Sequence, residues 1–120
     1  MSYKYFSYSE FDSEDQPGSG EKYMDREFME MIDYARGLTR LKFKIELGYV
    51  SPFQAKRLIM STVNSHRIGR AARIFCINAN KRYQMVAALL EAGFTRVGIH
   101  PRYVYVDNDN QKPDSVWLIT

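Results

Sequence analysis

The sequence predicts an α+β domain, because helical apolar periods gather in the first half of the chain, strand-like alternation gathers in the second, and no regular βαβ alternation joins them. At 120 residues with 45% hydrophobic and 14% aromatic content, the chain is long enough for one core, and a single domain over residues 1–120 is expected. The expected architecture is a small, mostly antiparallel sheet backed by helices.

Ser7 and Glu10 have capping-box spacing, and Phe6, Tyr8 and Phe11 supply apolar anchors, so a short helical turn opens the chain. Asp12 to Asp15 and Gln16-Pro17-Gly18-Ser19-Gly20 read as a loop. From Asp25 to about Leu38, Phe28, Met31, Ile32 and Ala35 recur at helical spacing, with Asp25 as the cap. Phe43, Ile45 and Leu47 alternate with Lys42, Lys44 and Glu46, the pattern of a half-buried strand. Ser51-Pro52 pairs an N-cap with proline at the first helical position, opening a short helix through Ala55, Leu58 and Ile59.

Residues 61–69 read as a loop, Ala71 to Ile77 as a central strand, and Asn80 to Ala92 as a helix ended by Gly93. Phe94 to Ile99 and Tyr103 to Val106 read as strands joined around Pro101, which leaves His100 exposed at their turn. Val116 to Ile119 is the last strand. The methionines at 24, 29, 31, 60 and 85 fit core filling.

Residues 1–33 hold nine acids against three bases, whereas between Glu46 and Glu91 there is no acid and seven bases. A basic middle of this kind suits phosphate, an anionic polymer or the acidic N-terminal third of the same molecule. Arg67, Arg70, Lys81 and Arg82 are the candidate nucleic-acid contacts. The single cysteine, Cys76, excludes an intrachain disulfide framework and fits a reducing compartment. The N-terminus lacks a signal-peptide pattern, and no run approaches the ~18 apolar residues of a membrane span, so a soluble protein without membrane partners is expected.

Asn64-Ser65-His66-Arg67-Ile68-Gly69-Arg70-Ala71-Ala72-Arg73 is similar to the signature Ser-x-His-x-x-Gly-x-Ala-x-Asp of zinc D-alanyl-D-alanine carboxypeptidases and endopeptidases, with His, Gly and Ala in register. Phe6 to Ser13 with Pro17 to Gly20 resembles the opening of the short phage and bacterial members. Gly48-Tyr49-Val50-Ser51-Pro52 resembles their Gly-Tyr-Arg-Thr-Pro turn, and Tyr103-Val104-Tyr105-Val106-Asp107 their closing aromatic-x-His-Val-Asp strand. The resemblance implies a Hedgehog/DD-peptidase fold with a site in a groove on one sheet face.

In that family the histidine and aspartate of the first motif and the histidine of the last hold zinc, with one position open for chemistry. Only His66 is retained here. Arg73 stands at the aspartate position and Tyr105 at the second histidine. A guanidinium stays protonated, and at ~4 Å from a divalent ion it would repel it by about 8 kcal/mol at an effective dielectric of 20. Tyrosine ligates only as phenolate, far from its reference pKa of about 10. Cys76 points to the opposite strand face from Arg73. Val50 replaces an arginine that in the family helps hold the acidic end of the substrate.

The resemblance therefore implies a non-catalytic peptidase-like protein without a metal cofactor, of phage origin and made in a bacterial host cytoplasm, with virion association open. The vestigial site comprises His66, Arg73, Tyr105, Asp107 and Val50, and its ligand is a peptidoglycan stem peptide or a protein partner in the old groove. The alternatives are a nucleic-acid or capsid-associated factor using the basic middle, and a metallopeptidase of cell-wall peptides with a rebuilt zinc site. Two placements are open for Arg73: in the former metal position paired with Asp107, with His66 and Tyr105 hydrogen-bonded around it, or swung into solvent.

Overall fold

A 3-10 turn at Tyr8–Phe11 begins the fold, and its capping box is closed by the Ser7 amide donating to Glu10 Oε2 at 2.8 Å. The computed structural model describes residues 3–61 and 64–120. Met1 and Ser2, and positions 62 and 63 of the expected 61–69 loop, lie outside the described residues.

Helix α1, Ser19–Tyr23, occupies the end of the stretch read as a loop. It forms because Asp12 accepts the amides of Gly18 and Gly20 at 3.0 and 2.7 Å, which turns the chain into a helical start that no apolar period announces. Helix α2, Arg26–Gly37, is capped by Asp25, whose carboxylate accepts the Phe28 amide at 2.9 Å. Its apolar stripe of Phe28, Met29, Ile32 and Ala35 is wholly buried.

Strand β1, Ile45–Leu47, is followed by α3, Pro52–Arg57, where the Ser51 hydroxyl accepts the Gln54 amide at 3.0 Å. Strand β2 is Ala71–Phe75, and α4 is Ala79–Glu91, capped by the Asn78 side chain and ended by Gly93 in the left-handed region. Strands β3, Arg96–His100, and β4, Tyr103–Asp107, make a hairpin, and β5, Ser115–Leu118, closes the chain.

The sheet order is β1-β2-β4-β3-β5. β5 runs parallel to β3, while the other pairings are antiparallel. The mixed sheet follows from the hairpin: Arg96 lies opposite Asp107, so β4 ends where β3 begins. Residues 108–114 need only step past β3 to lay β5 along it in the same direction.

Ala72, Ile74, Cys76, Val97, Val104 and Val106 are buried on one sheet face, in one cluster with Phe28, Met29, Ile32, Met85 and Leu89 of α2 and α4. Each such side chain contributes on the order of 1–3 kcal/mol through apolar burial. Arg73, Phe75, Tyr103, Tyr105, Gly98 and Trp117 occupy the opposite face by the period-two rule.

The segments at the margin of that face are tied together by backbone bonds. The Tyr49 amide donates to Phe11 O at 2.9 Å, the Val50 amide to His66 O at 3.2 Å, and the Asp25 amide to Gly69 O at 2.9 Å. The Ser51 amide donates to Ser13 Oγ at 3.0 Å. Gly69 sits at φ +71°, where a Cβ would overlap the Tyr23 carbonyl, so only glycine fits this crossing.

Candidate functional site

The register places Leu47, Arg73, Tyr105, Gly98 and Trp117 in one row across the sheet. His66, from the turn before β2, packs edge-on against Tyr105 with ring centroids 5.5 Å apart. Three residues picked out by the sequence, His66, Arg73 and Tyr105, are thus gathered at one place, and Asp107 joins them through the Tyr105 hydroxyl at 2.6 Å.

His66 is buried, and its Nδ1 lies 2.9 Å from Gly48 O. A carbonyl only accepts, so Nδ1 carries the proton and Nε2 bears the lone pair. Burial pulls its pKa down to about 4, and the charges of Arg73 and Lys112 push the same way against the Gly48 carbonyl. The imidazole is neutral at neutral pH.

A pH dependence follows. The unfolded histidine titrates near 6.5 and the folded one near 4, so the native state binds fewer protons between those values. The stability from neutral His66 is complete above pH 6.5 and is lost as pH falls toward 4, by roughly 2–3 kcal/mol. Urea unfolding from pH 7 to 4 should show wild type declining more steeply than His66→Gln; parallel curves would contradict the buried neutral imidazole.

Asp107 is wholly buried and saturated. It accepts Arg96 Nε at 2.9 and 3.2 Å, the Tyr105 hydroxyl, and the Asp109 amide at 3.1 Å. The expected Arg73–Asp107 pair is not formed, and neither is the solvent-swung alternative. Across β2 and β3, the residues opposite Asp107 are Ala71 and Arg96, so Arg96 is its direct cross-strand partner. Arg73, two residues further along β2, lies over the Tyr103 ring at 4.3 Å, and Tyr103 stacks on His100 at 4.3 Å and 14°. His100 is therefore half-buried rather than exposed. Among the described residues Arg73 has no ion pair, and its Nε is buried without a hydrogen-bond partner.

Burial, reinforced by the charge of Asp107, drives the Tyr105 pKa upward. Its hydroxyl remains a protonated donor. Val50 is wholly buried, so its side chain is not available to a ligand; its carbonyl accepts Arg67 Nη1 at 3.3 Å, and Tyr49 Oη accepts the same nitrogen at 3.1 Å.

Sequence reasoning missed Arg96, Trp117 and a cluster beside His66. The Ser65 hydroxyl donates to Asp109 at 2.8 Å and accepts from Lys112 Nζ at 3.2 Å. Burial would raise the Asp109 pKa, but Ser65, the Gln111 amide and Lys112 together hold it below the usual carboxylate range. Arg96 lies 4.9 Å over the Trp117 ring, and Trp117 lies 5.7 Å from Tyr105.

The basic residues of the middle segment do not make one surface. Arg70 is at the start of β2, bonded to Asn108 O at 3.2 Å and 3.6 Å from Asp25, while Arg82 bonds Pro101 O at 2.8 Å at the far end of the sheet. Lys81 is exposed at the start of α4.

The donor set here does not fit a zinc ion: a neutral imidazole, a fixed guanidinium and a protonated phenol supply one ligand between them. Among the described residues no three of His, Cys, Asp or Glu come together as a metal group, and Cys76 is buried on the opposite sheet face. No described helix is long and apolar enough to cross a membrane. The sequence matches no protein-family model and no curated protein.

Proposed function

We propose that this chain is a peptidase-like domain of the Hedgehog/DD-peptidase type whose groove binds an anionic peptide without cutting it. The observation that carries the reading is Arg73 directly opposite Tyr105 with His66 packed on Tyr105, which brings the three family metal positions together with a cation in place of a carboxylate. Three of the four stretches that resemble the family meet through the Phe11–Tyr49, Ser13–Ser51 and Gly48–His66 bonds, and the fourth, Tyr103–Asp107, joins them through its pairing with β2 and the His66–Tyr105 contact. Phage origin, a bacterial host cytoplasm and virion association belong to the same reading.

The chemistry of such a groove follows from its unpaired groups. Arg73 lies over the Tyr103 ring with no counter-charge, so its N–H groups suit a carboxylate, while His66 Nε2 is an acceptor for a peptide N–H. Trp117 supplies apolar surface in the same row. A peptidoglycan stem peptide has both a terminal carboxylate and amides.

Calorimetric titration with a synthetic stem tetrapeptide tests this. Wild type should bind without releasing cleavage products, and Arg73→Met should weaken binding about 10- to 100-fold, the worth of one charged hydrogen-bonding group. No wild-type binding, or unchanged binding by Arg73→Met, would overturn the assignment. The nucleic-acid reading loses its main support because Arg67, Arg70 and Arg82 are engaged internally.

A further inference from the structure

Beyond the end of β2, lysines from separate parts of the chain surround a hollow of about 190 Å³. The Phe75 amide donates to Lys44 O at 2.9 Å, which sets the residues at the start of β1 against the end of β2. The chain then turns at Asn78 into α4, where Lys81 and Met85 stand one helical turn apart on the same side. Leu41, Phe75, Ile77 and Met85 form the apolar wall of the hollow, and Lys42, Lys44 and Lys81 supply its charge.

No acid lines this hollow. Arg70, Arg96 and Lys112 each have a carboxylate within 3.7 Å, whereas among the described residues none of Lys42, Lys44 and Lys81 makes an ion pair. Lys44 Nζ lies 5.6 Å from the centre of the Phe75 ring, which holds its ammonium at the wall. Lys81 falls in the first turn of α4, where the helix field favours acids, and that turn has none. Like charges gathered about one hollow repel one another, and an anion between them replaces that repulsion with attraction.

We infer that this hollow is a second binding site, for a small phosphate monoester with an apolar body the size of one ring. The charge selects the head group. A phosphate monoester carries about −1.5 to −2 at neutral pH and three acceptor oxygens for the ammonium groups, whereas a carboxylate brings a single charge. The volume selects the body, because an apolar cavity of about 150 Å³ accepts benzene and this one takes one ring and little more. Met85 is buried and Ile77 is 63% exposed, so the apolar wall runs from the core to the open side. His66, Arg73 and Tyr105 do not line the hollow, so the two sites stand or fall separately.

Phenyl phosphate is the probe, with inorganic phosphate lacking the ring and benzoate lacking the second charge. Calorimetry should give phenyl phosphate a Kd between about 50 µM and 1 mM, the range open to so small a ligand, with at least roughly tenfold weaker binding of the other two. Methyl NMR signals of Leu41, Ile77 and Met85 should shift in the same titration. A variant combining Lys42→Gln, Lys44→Gln and Lys81→Gln should lose at least roughly tenfold in affinity with an unchanged thermal melt, because all three residues are exposed. Raising the salt from about 50 to 500 mM should weaken the wild-type complex. No binding of phenyl phosphate at about 10 mM overturns the inference, and so does an affinity that benzoate equals or that the lysine variant keeps. A 5′-phosphorylated oligonucleotide held more tightly than phenyl phosphate by the same lysines also overturns it, by assigning the surface to nucleic acid.

Discussion

Asp107→Ala is expected to lower the unfolding free energy by about 3–5 kcal/mol, because it strands a nearly buried cation. Arg96 has only 12% of its side chain exposed and takes its charge partner from Asp107 at 2.9 Å. The same carboxylate accepts the Tyr105 hydroxyl and the Asp109 amide, so its removal leaves three donors without their acceptor in a site that water hardly reaches. Replacing both charges, in Arg96→Met with Asp107→Leu, should cost less than the sum of the single variants, since no uncompensated charge is left. Urea unfolding of the two single variants and the double gives the coupling. A loss below about 1 kcal/mol for Asp107→Ala would mean that solvent replaces the bonds and that Asp107 does not anchor this end of the sheet.

Much of this arrangement is legible from residue order. Caps at Ser7, Asp25 and Ser51 mark their helices, and the alternation of Phe43, Ile45 and Leu47 with charged residues marks β1. The short strand Tyr103–Asp107 shows its two faces in the same way, with Val104 and Val106 buried and Tyr103 and Tyr105 on the opposite face. Helix α1 is not legible, since it depends on Asp12 reaching across to Gly18 and Gly20 rather than on an apolar period.

The partner of Asp107 was within reach of the sequence. A tight hairpin centred on Pro101 and Arg102 places Arg96 opposite Asp107, and that register excludes Arg73. The metal positions that the peptidase resemblance implies single out Arg73 instead. The stack of Arg73, Tyr103 and His100 depends on rotamers that no spacing rule specifies. The Ser65, Asp109 and Lys112 cluster joins two loops distant in sequence, which short-range patterns do not connect.

In the proposed peptidase-like reading, His66, Arg73 and Tyr105 stand at three converging metal positions, two of which oppose a metal. Strand register supports the geometry, because directly opposed residues have Cβ atoms about 5 Å apart and His66 lies against one of them. His66 is already prepared as a ligand, with Nδ1 fixed on a backbone carbonyl and Nε2 free, the orientation that outer-shell bonds impose on metal-bound histidines. The decisive measurement is zinc titration of the wild type and of the Arg73→Asp, Tyr105→His double variant by calorimetry and elemental analysis. Wild type should take up no stoichiometric zinc and the double variant one equivalent, at about 1 µM or tighter. A double variant with a native melt that binds no zinc would show that the three positions do not converge, and zinc in wild type would overturn the non-catalytic reading.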